Sequence, residues 1–167
     1  VPIGLPTSPE LICGFGFSLG FHQFDFSCFF QGSANSSFFI DPEATAPFAG
    51  GTRAILKAYA DDHWSEDNQY PYALWPRLSP EILENNSVTS TWWLRDGRFL
   101  RMKSAELGYS LSNKFTKSLK LENARIYVSG TNLFLISSFK LWDVEMAGNG
   151  LGYPLQRVIN AGLKLDF

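Results

Sequence analysis

The stretch LICGFGFSLGFHQFDFSCFFQG, residues 11–32, decides the fold of this chain. Bulky residues occupy every second position as far as residue 21, and the alternation resumes after His22 and Gln23. Successive side chains of a strand point to opposite faces, so this pattern predicts a β-hairpin with a two-residue turn. Its strands are expected over residues 11–21 and 24–32.

The two-residue turn also fixes the register of the hairpin. Phe21 faces Phe24, so Cys13 faces Gly32, which is four residues away from Cys28. Four residues of strand correspond to about 13 Å. A disulfide needs Cα atoms within about 7 Å, and two free thiols are therefore predicted.

The two faces of this hairpin differ in chemistry. One face carries mostly Phe, and the other carries mainly small or polar residues. A soluble β-sandwich usually fills its buried face with Val, Ile and Leu, whereas an aromatic face suits contact with lipid. The alternation itself is compatible with both architectures.

The composition restricts the class of protein. Aromatic residues make up 16% of the 167 residues, yet the mean hydropathy is only −0.07 because apolar and polar residues are interleaved. No stretch approaches the roughly 20 apolar residues of a membrane-spanning helix, so any membrane crossing must use strands. The net charge of −2, without a basic stripe, argues against nucleic acid as a partner. No signal-peptide pattern stands at Val1, so we expect an exported chain to be mature or a fragment.

Three more strands are predicted, over residues 98–111, 124–135 and 155–167. The last strand alternates back from the final residue of the sequence, which is aromatic. This pattern is typical of the last strand of a transmembrane β-barrel, although a sandwich strand produces it too. Its apolar face is formed by Ile159, Ala161, Leu163, Leu165 and Phe167.

Irregular segments separate the strands. Residues 1–10 contain three prolines and are predicted to be an irregular lead-in. Residues 33–97 form a long loop, in which a short helix is predicted over 52–61 with Thr52 as its N-cap. Residues 137–154 form a glycine-rich loop. Loops as long as the first are uncommon in compact domains and are usually functional.

Four motifs resemble one known family, and they occur in the family's order. They read FDFSCFFQG at 24–32, WLRDGRFLRMK at 93–103 followed by ELGYSL at 106–111, ARIYVSGTNLF at 124–134, and GYPLQR with GLKLDF within 152–167. They resemble the C-terminal barrel segment of SusC-like (RagA-like) TonB-dependent outer-membrane transporters.

The resemblance implies an all-β fold: the last five or so antiparallel strands of a 22-stranded transmembrane β-barrel, with long extracellular loops and a short loop helix. Five strands cannot close a barrel, and an open edge cannot face lipid. The remaining strands and the plug must therefore come from the same or a separate chain. Residues 33–97 and 137–154 become extracellular loops, in agreement with the rule that long loops lie outside.

The resemblance also implies a function and a location. The family resides in the bacterial outer membrane, works with a SusD-like surface lipoprotein, and imports glycans or peptides. The TonB complex supplies the energy through an N-terminal part that is missing here. We therefore expect a barrel-wall segment of an importer, in contact with outer-membrane lipid, and not an enzyme. The alternative is a secreted β-sandwich that binds carbohydrate.

Loop aromatics are the candidate functional residues. Contact with substrate or with the lipoprotein is expected from Trp64, Tyr70, Tyr72, Trp75 and Trp142, which would otherwise fold the loop on itself. Positions in the girdle at the membrane interface are expected for Trp92, Trp93 and Phe167. Recognition by the barrel-assembly machinery is implied for the terminal strand through Ile159, Ala161, Leu163, Leu165 and Phe167.

One acidic run carries the oxygen ligands that calcium prefers, although such a run is usually a solvated loop face. It consists of Asp61, Asp62, Glu66 and Asp67. Apart from this calcium, no metal or cofactor is expected. Ser, His and Asp occur without the sequence context of a catalytic nucleophile, so no catalytic residue is expected.

Overall fold

The structure is a computed structural model that describes residues 3–48, 51–81, 83–118 and 120–167. The chain divides into two compact units. The strand unit consists of Pro9–Asn35, Arg98–Ser138 and Leu155–Phe167. The loop unit consists of Val1–Ser8, Ser36–Gly97 and Phe139–Pro154.

The strand unit forms one antiparallel sheet of five strands. They are β1 (Leu11–Phe21), β2 (Phe24–Ala34), β5 (Phe99–Ser110), β6 (Asn123–Ser137) and β7 (Val158–Asp166), and each pairs with the next in this order. The prediction of five antiparallel strands is confirmed. The sheet is open, with β1 and β7 at its edges.

The hairpin of β1 and β2 has the predicted register. Phe21 pairs with Phe24, and Cys13 pairs with Gly32. The two cysteines are free thiols, as this register predicts. His22 adopts a left-handed backbone, with φ of 55°, as the first residue of the tight turn.

The middle of β5 and β6 contains β-bulges that interrupt the alternation. The register between β2 and β5 shifts at Lys103, and on the other side of β5 this residue faces both Asn132 and Leu133 of β6. Asn132 takes the left-handed backbone, with φ of 51°, that a bulge of this kind requires. An extra residue shifts the period of two, which explains why the sequence of β5 alternates only in its second half.

The last strand starts later than predicted. β7 begins at Val158, because the preceding backbone is held by a side chain instead of a strand ladder. The Asn132 side-chain amide donates a hydrogen bond to the carbonyl oxygen of Gln156 at 3.0 Å. The bulge in β6 therefore also sets the start of β7.

The described residues of the loop unit form a two-stranded sheet and three short helices. β3 (Ser37–Phe39) pairs with β4 (Leu94–Asp96). The helices are α1 (Pro42–Thr45), α2 (Lys57–Asp61) and α3 (Glu84–Ser87), and 3₁₀ turns lie at Thr91–Trp93 and Val144–Met146. The sequence predicted only one of these helices and did not predict the small sheet.

The predicted helix over 52–61 is wrong in its first half. The helix α2 begins at Lys57, its N-cap is Leu56, and Thr52 does not cap it. Arg53, inside the predicted helix, instead donates from its guanidinium to the carbonyl oxygens of Glu43 and Ala44 at 2.7 and 2.8 Å. A tertiary contact thus outweighs local helix propensity here.

Within the described ranges, no helix combines the length and the apolar character needed to cross a membrane.

Candidate functional site

One face of the five-stranded sheet is apolar and solvent-exposed across every strand. We call it the apolar face. One in-register row consists of Phe21, Phe24, Tyr109, Ile126 and Leu163, and the next consists of Leu19, Phe26, Leu107, Val128 and Ala161. The exposed fraction is 73% at Phe21 and 49% at Val128. An uncovered apolar surface of this extent marks an interaction with another protein or with lipid.

Aromatic rings occur along the whole length of this face, and Phe17 and Phe26, with ring centroids 5.9 Å apart, lie between two other levels of rings. At one level Phe24 and Tyr109 have ring centroids 4.8 Å apart. At the other, Phe30 contacts Phe15 at 5.1 Å and Phe134 at 6.0 Å. Phe15 and Phe21 are six residues apart on β1, so the levels are separated by about 20 Å at the rise of a strand. Transmembrane β-barrels have an apolar band of about 25 Å flanked by aromatic girdles.

The opposite face, which we call the polar face, carries a charged network across three strands. The Arg125 guanidinium donates through Nε to Asp25 Oδ1 at 3.0 Å, through Nη2 to Asp25 Oδ2, and to Glu106 Oε1 at 2.7 Å. The same guanidinium lies 5.3 Å from the centre of the Tyr127 ring. One cation thus joins two carboxylates and an aromatic ring on β2, β5 and β6.

Glycines make room for this network. A Cβ at Gly108 would overlap the Arg125 guanidinium, and a Cβ at Gly162 would overlap the Tyr127 ring. Both glycines stand directly opposite Tyr127 on the neighbouring strands, so the large side chains lie over positions that have none. The network is therefore closely packed, although the side chains of Asp25 and Glu106 stay 45% and 36% exposed.

The loop unit has an aromatic core of its own. Tyr59 stacks on Trp75 with ring centroids 4.3 Å apart, and Trp75 contacts Trp93 at 4.9 Å. Trp93 is 2% exposed, and the other two are also buried. Burial raises the pKa of the Tyr59 hydroxyl, so this core contains a neutral phenol.

Two exposed tyrosines lie at the end of a closed loop in the same unit. Trp64 N donates to Trp75 O at 3.0 Å, and Trp75 N donates to Asp62 O at 3.1 Å, so the two ends of residues 62–75 are joined. Between them the rings of Tyr70 and Tyr72 lie 5.9 Å apart, and Tyr72 is 81% exposed. We call these two residues the tyrosine pair.

Comparison with known proteins identifies the architecture. No family model matches the chain. TonB-dependent receptor P26 of Formosa agariphila is 30% identical over 180 residues, and TonB-dependent receptor P3 of the same bacterium is 26% identical over 181 residues. These matches include 100% and 99% of this chain, but only 18% and 17% of the relatives.

Solved structures agree on the fold. The RagAB peptide importer in its closed-closed state matches 99% of this chain and 18% of the solved chain, with a TM-score of 0.74 and 24% identity. Its open-open state matches 96% of this chain and 17% of the solved chain, with a TM-score of 0.68 and 22% identity. This chain is a segment of a TonB-dependent receptor.

The receptor fold explains both faces of the sheet. The apolar face is the outer surface of a β-barrel wall, and the sheet is open because the chain is a segment of that wall. TonB-dependent receptors are outer-membrane proteins of Gram-negative bacteria, which places this chain in the outer membrane. The alternative of a secreted β-sandwich is wrong, since the apolar sheet belongs to a barrel.

Two of the aromatic residues predicted to be functional are buried in the loop core of this receptor segment. Trp75 was predicted to contact substrate or partner, and Trp93 was predicted to lie in the membrane-interface girdle. Both side chains are buried in this segment, and their predicted roles in contact and in the girdle stay predictions. Their packing holds the loop unit together, which is the alternative role foreseen for the group.

The other predicted aromatics keep some exposure. Trp64 and Trp142 are half-buried, and the Trp142 indole donates to the carbonyl oxygen of Ala147 at 2.8 Å. Trp92 is half-buried and lines a cavity of about 430 Å³ within the loop unit. Only the tyrosine pair combines large exposed rings with a defined mutual geometry.

The residues predicted for the terminal strand are accessible in this receptor segment. Ile159, Ala161, Leu163 and Leu165 lie on β7 and are exposed on the apolar face. Phe167 follows β7 and is also exposed. Their roles in assembly and in the girdle stay predictions.

The acidic run has partners other than a metal. Asp61 pairs with Lys57, and Glu66 lies 3.6 Å from Arg77. In the part of the chain that the structure describes, no group of three or more His, Cys, Asp or Glu residues is arranged to hold a metal ion. Calcium at this run stays a prediction without a geometric argument for it.

Sequence reasoning missed the polar network of this receptor segment. Asp25, Glu106 and Arg125 all stand at polar positions of alternating strands. Their contact depends on the pairing of β2 with β5 and of β5 with β6. The glycine at position 108 was the available signal, because it leaves space for a large side chain on the neighbouring strand.

Proposed function

We propose that this segment forms part of the wall and outer loops of a TonB-dependent importer of glycans or peptides in the outer membrane. The observation that carries the proposal is the apolar face, which extends across all five strands. The names of the similar proteins, two TonB-dependent receptors and a peptide importer, support import as the activity.

The wall contributes passively to this function. The rest of the barrel and the plug would complete the pore, and a TonB complex would deliver energy through a part of the receptor outside this segment. A SusD-like surface lipoprotein would close the outer side. Binding and passage of a substrate need no catalytic group, and we infer that the segment is not an enzyme.

The tyrosine pair is the proposed contact for substrate or lipoprotein. Tyr70 and Tyr72 expose their rings and flank Pro71, so little conformational entropy is lost when they bind. Aromatic rings with a hydroxyl suit both sugar faces and peptide side chains. The closed loop from Asp62 to Trp75 holds the pair in place through the hydrogen bonds that join its ends.

Nutrient uptake by cells that carry the full-length receptor tests this function. Inactivating the receptor gene is expected to abolish growth on a glycan or on oligopeptides as sole nutrient, and to leave growth on monosaccharides and amino acids unchanged. Tyr70→Ala combined with Tyr72→Ala is expected to raise the half-saturating nutrient concentration about tenfold, since two stacking contacts of roughly 0.5–1.5 kcal/mol each are lost.

A matched control is Tyr153→Ala, because this tyrosine of the loop unit is equally exposed. It is expected to leave uptake unchanged. Growth of the inactivated strain on every oligomer offered would contradict import. Normal uptake by the double tyrosine variant would contradict only the assigned contact.

A further inference from the structure

The turn between β5 and β6 is basic and partly apolar. It contains α4 (Asn113–Ser118). Phe115 is 56% exposed, and the turn also exposes the side chains of Lys114, Lys117 and Lys120. We call these four residues the basic turn. Among the residues that the structure describes, no carboxylate forms an ion pair with any of these three lysines.

Backbone hydrogen bonds close the basic turn on itself and join the strand ends at its base. Thr116 is 1% exposed and its backbone N–H donates to Ser112 O at 3.1 Å. Leu121 N donates to Thr116 O at 3.0 Å, and Leu111 N donates to Ala124 O at 2.8 Å. These bonds fix the path of the chain on both sides of the helix, so the lysines leave the sheet from a defined position.

This position is the edge of the apolar face. Tyr109 belongs to the last row of that face on β5, and α4 starts four residues later. The neighbouring turn at Gln23 lies at the same end of the sheet, because Gln23 O accepts a hydrogen bond from Ser110 N at 2.8 Å. Short turns of outer-membrane barrels are periplasmic, so the basic turn lies at the level of the periplasmic headgroups.

We propose that the basic turn binds the anionic headgroups of phospholipids in the periplasmic leaflet. Lysines beside an apolar band extend their ammonium groups to headgroups while their stems contact apolar surface. An exposed Phe at the same level suits the boundary between headgroups and acyl chains. The negative charges nearby, Glu122 and Asp166, are fewer, and Asp166 already lies 3.7 Å from Lys164. The proposal depends on the membrane location and not on import.

Native mass spectrometry of the full-length receptor, titrated with phosphatidylglycerol, tests this proposal. The variant with Lys114→Gln, Lys117→Gln and Lys120→Gln is expected to bind this lipid on the order of a hundredfold more weakly at low ionic strength, since each lysine near the anionic surface contributes about fivefold. Binding of zwitterionic phosphatidylethanolamine is expected to stay unchanged.

Two variants serve as controls. Replacing the same three lysines by Arg keeps the charge and is expected to keep phosphatidylglycerol binding. Lys57→Gln with Lys140→Gln removes two exposed lysines of the loop unit and is expected to have no effect. If the triple Gln variant fails to assemble, the three single variants are measured, each with an expected weakening of about fivefold.

Unchanged phosphatidylglycerol binding in the Gln variants would overturn the proposal. An equal loss in the control with Lys57 and Lys140 replaced would also overturn it, since the effect would then follow net charge. A loss confined to lipopolysaccharide, the lipid of the other leaflet, would overturn the assignment to the periplasmic side.

Discussion

The two units of this chain use aromatic residues in opposite ways. In the strand unit, Phe21 is 73% exposed and stands in a row of exposed apolar side chains. In the loop unit, Trp93 is 2% exposed and belongs to a core with Tyr59 and Trp75. The difference follows from the architecture of each unit, because a barrel wall presents its apolar face outward whereas the loop unit buries its aromatic rings in a core of its own.

The two units also differ in where they place their charged side chains. The strand unit directs Asp25, Glu106 and Arg125 to one face, where they bind one another. The loop unit leaves pairs such as Lys57 with Asp61 on its surface. A barrel wall therefore exposes its apolar side chains and directs polar ones inward, which is the opposite of a water-soluble domain, and one chain contains both arrangements.

The largest expected effect comes from the loop core. Trp93→Ala in the full-length receptor removes a fully buried ring and is expected to destabilise the loop unit by about 3–5 kcal/mol. Limited proteolysis of intact cells is expected to cut the loop unit of this variant while the strands remain protected.

The matched change on the apolar face is Phe17→Ala, at a position that is exposed. Lipid chains fill the space of the lost ring, so the protease pattern and the unfolding transition are expected to stay close to those of the parent receptor. A loss of stability as large as that of Trp93→Ala would mean that protein, and not lipid, covers this face.

An arginine introduced on each face of β6 in turn tests the difference between the apolar face and the polar face. Val128→Arg places a cation on the apolar face near the middle of β6 and is expected to cost about 2–4 kcal/mol at the bilayer midplane. Ser129→Arg changes the adjacent residue, which faces Glu106 across the polar face, and is expected to cost much less. The measurement is the free energy of unfolding in bilayers for both receptor variants.

If the two arginine variants had equal stability, the assignment of the faces would be wrong.

The smallest expected effect concerns the glycines of β1. A Cβ at Gly16 would lie 2.6 Å from the carbonyl oxygen of Cys28, whereas a Cβ at Gly20 meets nothing within 4 Å. Gly16→Ala is expected to destabilise the receptor by about 1–3 kcal/mol through overpacking. Gly20→Ala is expected to be neutral or slightly stabilising. Urea unfolding of both variants checks this difference, and a stable Gly16→Ala variant would disprove the close packing of β1 on β2.

The strands could be predicted well from the sequence because their information is local. A two-residue turn at His22 and Gln23 sets the hairpin register, and a period of two identifies the faces. The bulge at Lys103 and Asn132 could not be predicted. One added residue interrupts the alternation of apolar and polar side chains, and in the sequence this interruption looks the same as irregular structure. Its signal was an Asn, which tolerates a left-handed backbone.

The loop unit was harder to predict, and so were its functional residues. Its core joins Tyr59, Trp75 and Trp93, which lie far apart in a segment without periodicity. Composition identified the aromatic residues as important but could not distinguish buried rings from exposed ones. For this reason Trp75 and Tyr72 received the same prediction, although one is buried and the other is almost fully exposed.

The bulge at Asn132 has a consequence for how the barrel wall acquires a single register. Two antiparallel strands that slide by two residues keep every apolar side chain on the lipid side, so alternation alone does not prevent this error. The bulge does prevent it, because Asn132 and Leu133 must lie opposite Lys103 and the left-handed residue fits at one place only. A local irregularity of the backbone thus defines the register of the two strands while the barrel wall is being assembled.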